Sequence, residues 1–140
     1  MDDKKLTKKA IRLAEENVAN GGGPFGAVVV TANGNEYDGA NRVTALNDPT
    51  AHAEIQAIRA AAAKEGFDLS GSTLYASCQP CPMCLTAALW ARIDRIVYAA
   101  TQDDAAAAGF DDSVFYTQLC DGLKSVTDAE VTHRLLLQLF

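Results

Sequence analysis

The 140-residue chain has no run of about 18 or more apolar residues, so no segment is long enough to cross a membrane as a helix. It also begins without the apolar stretch and small-residue cleavage site of a secretory signal. We therefore expect a cytoplasmic protein with reduced thiols. In that setting its four cysteines are more typical of metal binding than of a disulfide framework.

Positive charge is also scarce, since the formal net charge is −6. The main group of basic residues, Lys4, Lys5, Lys8 and Lys9, falls on a predicted amphipathic helix among acidic side chains, as expected for a solvated helix face. A protein that binds a polyanion needs a concentrated positive surface. The composition therefore argues against a nucleic-acid partner and favours a small substrate.

No internal repeat or linker divides the sequence, and 49% of its residues are hydrophobic. A single domain over residues 1–140, with a core of its own, is expected. The triple glycine at 21–23 could suggest a phosphate-binding loop. However, no Lys-Ser/Thr pair follows it, and the next element is a predicted strand rather than a helix, which argues against that interpretation.

Helical and strand patterns alternate along the chain. A first helix over residues 4–19 precedes a strand at 25–32 and a second strand that follows Glu36 and runs to about Val43, and the two are joined at the hairpin signal Asn33-Gly34. Thr50 is expected to cap the next helix. The remaining predicted elements are helices at 51–65, 82–91, 103–108 and 112–120, strands at 73–78, 95–101 and 123–127, and a last helix at 128–139. This order predicts an α/β fold: a three-layer α/β/α sandwich around a central mixed five-stranded sheet.

Three of the four cysteines lie in one short segment, SCQPCPMC, and a histidine lies two residues before a glutamate in His52-Ala53-Glu54. Both motifs fall in the first turn of a predicted helix, where side chains can converge beyond the helix end and the positive potential stabilises thiolates. His52, Cys81 and Cys84 would supply three zinc ligands and leave the fourth position to water, as in catalytic zinc sites. Glu54 is close enough in sequence to shuttle protons beside that water.

The combined pattern, H-x-E followed by P-C-x-x-C, is the signature of zinc deaminases. Deamination requires that water attack an electron-poor ring carbon and that a proton reach the departing amine. Zinc serves the first requirement and a movable carboxylate the second. The spacing therefore predicts a zinc-dependent hydrolase.

Several segments resemble the cytidine-deaminase-like superfamily and, within it, the short zinc-dependent guanine deaminases. They are GGPFGAVVV, NRVTALNDPTAHAEIQAIR, LYASCQPCPMCLTAALWARI, VYAA and DAAAAGFDDS, which cover most of residues 21–113. The zinc motif is common to the superfamily, whereas NDPTAHAE and AGFDDS favour the guanine branch. The resemblance implies a cytidine-deaminase-like fold, the same zinc ligands and proton shuttle, and hydrolysis of guanine to xanthine and ammonia.

The resemblance also implies contacts to a purine base. Phe25 would stack on the base, Asn41 would hydrogen-bond it, and Ala53 would offer its backbone N–H. Asp112 would assist proton transfer near the leaving amine, and Asp111 would be at most a substrate contact.

Structural interpretations of the same residues stay open. An aspartate pair before a helix often only caps it. Phe25 heads a buried strand and could belong to the core, and Asn41 could support its own turn. Cys78 and Cys120 are interpreted as small buried hydrophobic residues rather than ligands.

The C-terminal sequence leaves the substrate open. The last ten residues, VTHRLLLQLF, do not match the segment that closes over the pocket in guanine deaminases and is exchanged between dimer partners. Another purine, a nucleoside or a triazine could therefore be the substrate. The apolar side chains of this tail predict a homodimer that buries them: Leu135, Leu136, Leu137, Leu139 and Phe140.

Two further alternatives concern the class of protein. An adenosine deaminase acting on tRNA would share the core, but it would need a basic groove and salt-dependent binding. A non-enzymatic module would need Cys78 to close the zinc site as a fourth ligand.

Overall fold

The computed structural model describes residues 2–125, and side chains as far as Leu119. Helices and strands follow one another in this order: α1 Asp3–Ala19, β1 Gly26–Val30, β2 Glu36–Ala40, α2 Val43–Leu46, α3 Ala53–Glu65, β3 Thr73–Cys78, α4 Pro82–Trp90, β4 Arg95–Ala100, α5 Gln102–Ala107 and α6 Ser113–Ser125.

The four strands of the described region form one sheet in the order β2-β1-β3-β4. Strand β1 pairs antiparallel with both β2 and β3, whereas β3 and β4 are parallel and are connected through α4. The β1–β2 hairpin closes where Val30 lies opposite Glu36, and Gly34 adopts the positive φ of 83° that the predicted Asn33-Gly34 turn requires. The predicted mixed sheet is confirmed.

Helices cover both faces of the sheet, because successive side chains of a strand point to opposite sides. Val28 and Val30 of β1 pack with α1 on one face. Ala27 and Val29 face the other side, where the small side chains of α3 and α4 complete the larger core cluster. The α/β/α sandwich is therefore confirmed.

Two glycines allow the helices to pack closely on the sheet. A Cβ on Gly26 of β1 would lie 2.3 Å from the carbonyl oxygen of Ala10 in α1. A Cβ on Gly39 of β2 would lie 2.2 Å from the carbonyl oxygen of Ala53, the first residue of α3. The second contact fixes the start of α3, which carries part of the candidate site, against the sheet.

Several predicted boundaries are wrong in detail. Strands β1 and β2 are shorter than predicted, and the four-residue helix α2 was not predicted. The cap of α3 is His52 rather than Thr50. Thr50 lies in the preceding turn, where its hydroxyl donates a 2.7 Å hydrogen bond to Asp48.

The predicted fifth strand, 123–127, is wrong over its first three residues, which continue α6 to Ser125. Residues 126 and 127 and the predicted helix 128–139 lie outside the described residues, as does the apolar tail cluster on which the predicted homodimer depends. None of the helices within residues 2–125 combines the length and apolar character needed to cross a membrane.

Candidate active site

The core of the candidate site lies where α3 and α4 begin. His52 caps α3 in an extended conformation, φ −68° and ψ 157°, and Cys81 caps α4 with φ −68° and ψ 170°. Neither residue makes a side-chain capping hydrogen bond to its helix. Pro82 occupies the start of α4, where its missing N–H leaves no hydrogen bond unmade. Both cap side chains are therefore available to a ligand.

Two thiols and one imidazole converge at this point. His52 Nδ1 lies 3.6 Å from Cys81 Sγ and 3.5 Å from Cys84 Sγ, and all three donor atoms lie within 4.8 Å of one another. Zinc bonds of about 2.3 Å to sulfur and about 2.1 Å to nitrogen, at a tetrahedral angle, place the two kinds of donor about 3.6 Å apart. The donor types and their separations therefore fit zinc.

Hydrogen bonding shifts the pKa values of the two thiols in opposite directions. A hydrogen bond from Cys84 is the main reason that the pKa of Cys81 falls to about 4, and the same bond raises the pKa of Cys84. Bonding to Cys81 also raises the pKa of His52. The cluster therefore carries a thiolate at neutral pH, and a soft anionic donor set of this kind suits zinc.

Glu54 lies in the first turn of α3 and is only 8% exposed. Burial raises the pKa of its carboxyl, and a hydrogen bond with Cys84 partly opposes that shift. A buried carboxyl with a raised pKa, next to candidate metal ligands, is suited to accept and release a proton.

Within the described part of the chain, no fourth His, Cys, Asp or Glu joins the three-donor cluster. Cys78 is half-buried, and its sulfur lies 4.0 Å from the carbonyl oxygen of Thr101. Burial raises the pKa of the Cys78 thiol, which favours its neutral form. The arrangement thus favours an open zinc site over one closed by Cys78. The side chain of Cys120 lies outside the described ones.

The two neighbouring aspartates before α6 have different environments. Asp111 is exposed, and its carboxylate accepts a 2.9 Å hydrogen bond from the backbone N–H of Ser113, which forms a turn just before α6. Asp112 Oδ1 is buried and has no hydrogen-bond partner in the described region. Burial raises the pKa of Asp112, and the nearby charge of Cys81 adds to the shift. Asp112, rather than Asp111, therefore faces the cluster.

Phe25 and Asn41 lie side by side at the ends of β1 and β2. The N–H of Asn41 donates to the carbonyl oxygen of Phe25 at 3.2 Å. Phe25 is half-buried and packs edge-on against Phe110, with ring centroids 5.2 Å apart and an interplanar angle of 89°. It also packs against the larger core cluster, so part of its role is structural.

The oxygen and the nitrogen of the Asn41 side-chain amide differ in their hydrogen bonding. Its Oδ1 accepts the N–H of Val43 at 3.1 Å, which confirms that Asn41 supports its own turn. None of the described residues hydrogen-bonds to its Nδ2, so that donor is available to a ligand. Ala53 opens α3, so its N–H has no acceptor within the helix. The base contacts of both residues stay predictions.

Asn17 lies within the predicted first helix, residues 4–19, and the sequence pattern gave it no other role. It is 8% exposed, and its Nδ2 donates to the carbonyl oxygens of Gly23 at 2.8 Å and Asn41 at 2.9 Å. A polar residue in the apolar stripe of a helix was the available signal, since such a residue needs hydrogen-bond partners when buried.

A second missed contact leads to Asp112. Gln79 Oε1 accepts the N–H of Gln102 at 2.9 Å, which joins the loop before Cys81 to the start of α5. A hydrogen bond with the side chain of Gln102 in turn lowers the pKa of Asp112 slightly against the effect of burial. The two glutamines therefore connect the cysteine loop to the Asp112 carboxylate.

The sequence and the fold of the chain are similar to those of known deaminases. Residues 1–100 match the family described as the cytidine and deoxycytidylate deaminase zinc-binding region. The guanine deaminase of Bacillus subtilis (strain 168) is 50% identical over 121 residues, which are 85% of this chain and 78% of that protein. An X-ray structure of guanine deaminase from Bacillus subtilis superposes with a TM-score of 0.82 at 51% identity, covering 85% of this chain and 77% of that one.

Two other relatives differ in what they act on or bind. A crystal structure in complex with 2,6-diaminopurine is 36% identical, with a TM-score of 0.74, and the match covers 79% of this chain and 63% of that one. The tRNA-specific adenosine deaminase of Haemophilus influenzae is 40% identical over 109 residues, 76% of this chain and 63% of that protein.

Proposed function

The chain belongs to the cytidine and deoxycytidylate deaminase family through its zinc-binding region, and we propose that it is a guanine deaminase, a zinc-dependent hydrolase that converts guanine and water to xanthine and ammonia. One observation carries the proposal: donors from His52, Cys81 and Cys84 lie together beside the buried carboxyl of Glu54. Hydrolytic zinc sites have three protein ligands of this kind. Half of the aligned residues are identical to those of a guanine deaminase, which supports the substrate.

The metal side of the site supports water activation. His52, Cys81 and Cys84 would hold zinc, which when bound supplies a Lewis acid that makes water acidic enough to react near neutral pH. Glu54 accepts a proton at its carboxylate and releases it to the departing amine. Burial raises the pKa of Glu54, which suits a group that must do both.

The residues on the base side of the site suit the binding of a flat polar ring. The Phe25 ring stacks on the purine, and the Asn41 Nδ2 and the Ala53 N–H donate to its acceptor atoms. The buried Asp112 Oδ1, which has no partner among the described residues, accepts a hydrogen bond near the leaving amine. Asp111 stays engaged in the turn before α6.

The test is an ammonia-release screen of the zinc-loaded chain over guanine, guanosine, adenine, cytosine, cytidine and ammeline. The expected result is ammonia from guanine, with the absorbance of xanthine appearing in step. Ammonia from a different compound and none from guanine would contradict the choice of substrate. Zinc-loaded protein that releases no ammonia from any of them would contradict the enzyme itself.

A second candidate is an adenosine deaminase acting on tRNA, which the 40% identity to such an enzyme supports. The net charge of −6 opposes it, because binding to a polyanion depends on concentrated positive charge. Binding of tRNA at physiological salt, with a steep loss of affinity as salt rises, would favour this candidate over the free base.

A homodimer and a cytoplasmic location belong to the same proposal. The apolar tail supports a dimer, and on the described surface Trp90 and Leu89 of α4 are 81% and 67% exposed, which is high for large apolar side chains. Light scattering in dilute solution should give twice the mass of the chain, and a monomer mass would contradict the dimer. The cytoplasm is the expected compartment because thiols stay reduced there.

A further inference from the structure

Asn17 is the buried polar residue of α1 for which the zinc chemistry has no use. Its side chain lies at the last turn of the helix, where it reaches across to two separate segments. One N–H of its amide binds the carbonyl oxygen of Gly23 at 2.8 Å, and the other binds the carbonyl oxygen of Asn41 at 2.9 Å. Asn17 therefore holds two backbone segments at a fixed separation.

Those two segments carry the side chains proposed to contact the base. Gly23 lies two residues before Phe25, whose N–H donates to the same Gly23 carbonyl at 2.9 Å. The N–H of Asn41 binds the Phe25 carbonyl at 3.2 Å. These bonds form one closed network. Asn17 contributes its side-chain amide, and Gly23, Phe25 and Asn41 contribute backbone groups.

The triple glycine, which the zinc chemistry does not explain, completes this network. The N–H of Gly22 donates to the Asn17 carbonyl oxygen at 2.8 Å, so the loop turns tightly around the helix end. A Cβ on Gly22 would lie 2.5 Å from Asn17 Nδ2, closer than real Cβ contacts allow. A side chain at position 22 would therefore displace the Asn17 amide.

We propose that Asn17 is a positioning residue for base binding: its amide fixes the separation of Phe25 and Asn41, between which the purine is held. This inference rests on the proposed function. Neither carbonyl partner belongs to a metal-ligating residue, so loss of the amide leaves the zinc cluster intact. The effect falls on the binding of the base more than on the chemical step.

The experiment is a double-mutant cycle on guanine turnover with Asn17→Ala, Gly22→Ala and the combined variant. Asn17→Ala removes both donors, and Gly22→Ala displaces them without changing Asn17. Each single variant should raise KM about tenfold, as expected for loss of a hydrogen-bonded pair of this kind. The kcat should stay within about twofold, and zinc content should not change. The combined variant should be no worse than Asn17→Ala, because the clash at position 22 no longer has a partner.

Two further variants keep the test decisive. Asn20→Ala, in the exposed cap residue of the same helix, is the matched control and should leave KM unchanged. Asn17→Ser keeps one donor and should give an intermediate KM, and it replaces Asn17→Ala if that variant does not fold. Unchanged KM in folded Asn17 variants, with only a lower melting temperature, would reduce Asn17 to a structural residue and overturn the inference. Absence of turnover in the wild type would instead contradict the proposed function.

Discussion

The zinc side of the site is built from two helix N termini, whereas the base side, apart from the N–H of Ala53 at the start of α3, is built from the ends of strands and from loops. His52 and Cys81 are cap residues of helices that pack into the larger core cluster. Phe25, Asn41 and Asp112 lie in connecting segments, and long-range hydrogen bonds hold them through Asn17, Gln79 and Gln102. Core packing thus positions the metal ligands, and polar networks position the base contacts.

This difference has a physical consequence. A metal ligand on a packed helix moves only if the core moves, so it cannot shift by a small amount. Removal of such a ligand should therefore abolish zinc binding rather than weaken it gradually. A side chain held by a few hydrogen bonds can shift by a fraction of an ångström at a cost of about 1 kcal/mol for each bond lost. We therefore expect large effects on the metal side and graded effects on the base side.

The largest effect should come from Cys84→Ser. The Cys84 side chain is fully buried and faces both other donors, so serine should remove a soft ligand from the cluster. We expect zinc content to fall from about one ion per chain to near zero, with loss of turnover. Metal analysis and ammonia release measure this.

Cys78→Ser is the matched control for that change. It removes a neighbouring thiol that lies outside the three-donor cluster, so zinc content should stay unchanged. Loss of zinc from the Cys78 variant would show that the site is closed by four protein ligands, and the comparison between the two sides would then lose its basis.

Among the side chains on the base side of the site, Asp112→Asn should have the largest effect. The change keeps the shape of the side chain and removes its charge, so kcat should fall about 100-fold, the lower end of the range for a proton-transfer group. Zinc content should not change. Asp111→Asn tests the neighbouring carboxylate, which is engaged in its own turn, and its kcat should stay within about twofold of the wild type. Equal losses from both variants would contradict the assignment.

Gln79→Ala should have a smaller, graded effect. It removes the acceptor of the Gln102 N–H, so the segment that leads to Asp112 loses one connection to the cysteine loop. We expect kcat to fall about fivefold, corresponding to one neutral hydrogen bond. Gln79→Glu keeps an acceptor oxygen and should retain most activity. Because the effect acts through Asp112, Gln79→Ala should add little in an Asp112→Asn background, and full additivity would argue against this path.

The smallest effect concerns an ion pair outside both sides of the site. Asp3, at the start of α1, accepts hydrogen bonds from Tyr75 at 2.7 Å and from Arg95. The Arg95 hydrogen bond, with that of Tyr75, lowers the pKa of Asp3 well below its ordinary value of 3.8. A lowered pKa stabilises the fold above the unfolded-state value, and that stabilisation is lost as pH falls towards the folded-state value.

The measurement is a series of thermal melts from neutral to acidic pH. The melting temperature of the wild type should fall more steeply below about pH 4 than that of Asp3→Asn, which should be slightly less stable at neutral pH. The difference should be small and should shrink in high salt, since the pair is exposed. KM for guanine should not change, because this end of α1 is remote from Asn17. A parallel pH dependence in both proteins would contradict the role of the pair.

The metal side could be predicted from the sequence because its information is local. His52 and Glu54 are two residues apart, and Cys81 and Cys84 are three apart. Each pair lies at the start of a helix that the sequence predicts. Thr50 was still predicted wrongly as the cap, because its hydroxyl binds Asp48 instead. An error of two residues at a helix end left the convergence of the ligands unaffected.

The base side could be predicted only in part, because its contacts join distant parts of the chain. Asn17 and Asn41 are 24 residues apart and Gln79 and Gln102 are 23 apart, so spacing gives no sign of either contact. Which of the two adjacent aspartates has a buried carboxylate oxygen depends on where α6 starts. The predicted fifth strand is wrong at residues 123–125, because helix α6 continues through them to Ser125.

Zinc content and guanine turnover of Glu54→Gln, measured beside the wild type and Glu16→Gln, test the central claim most directly. Glu16 is exposed on α1, so its variant controls for the loss of one carboxylate. The account predicts about one zinc per chain in all three proteins and a fall in kcat of about 10²- to 10⁴-fold in Glu54→Gln alone. Full activity in Glu54→Gln, or active wild-type protein that binds no zinc, would contradict it.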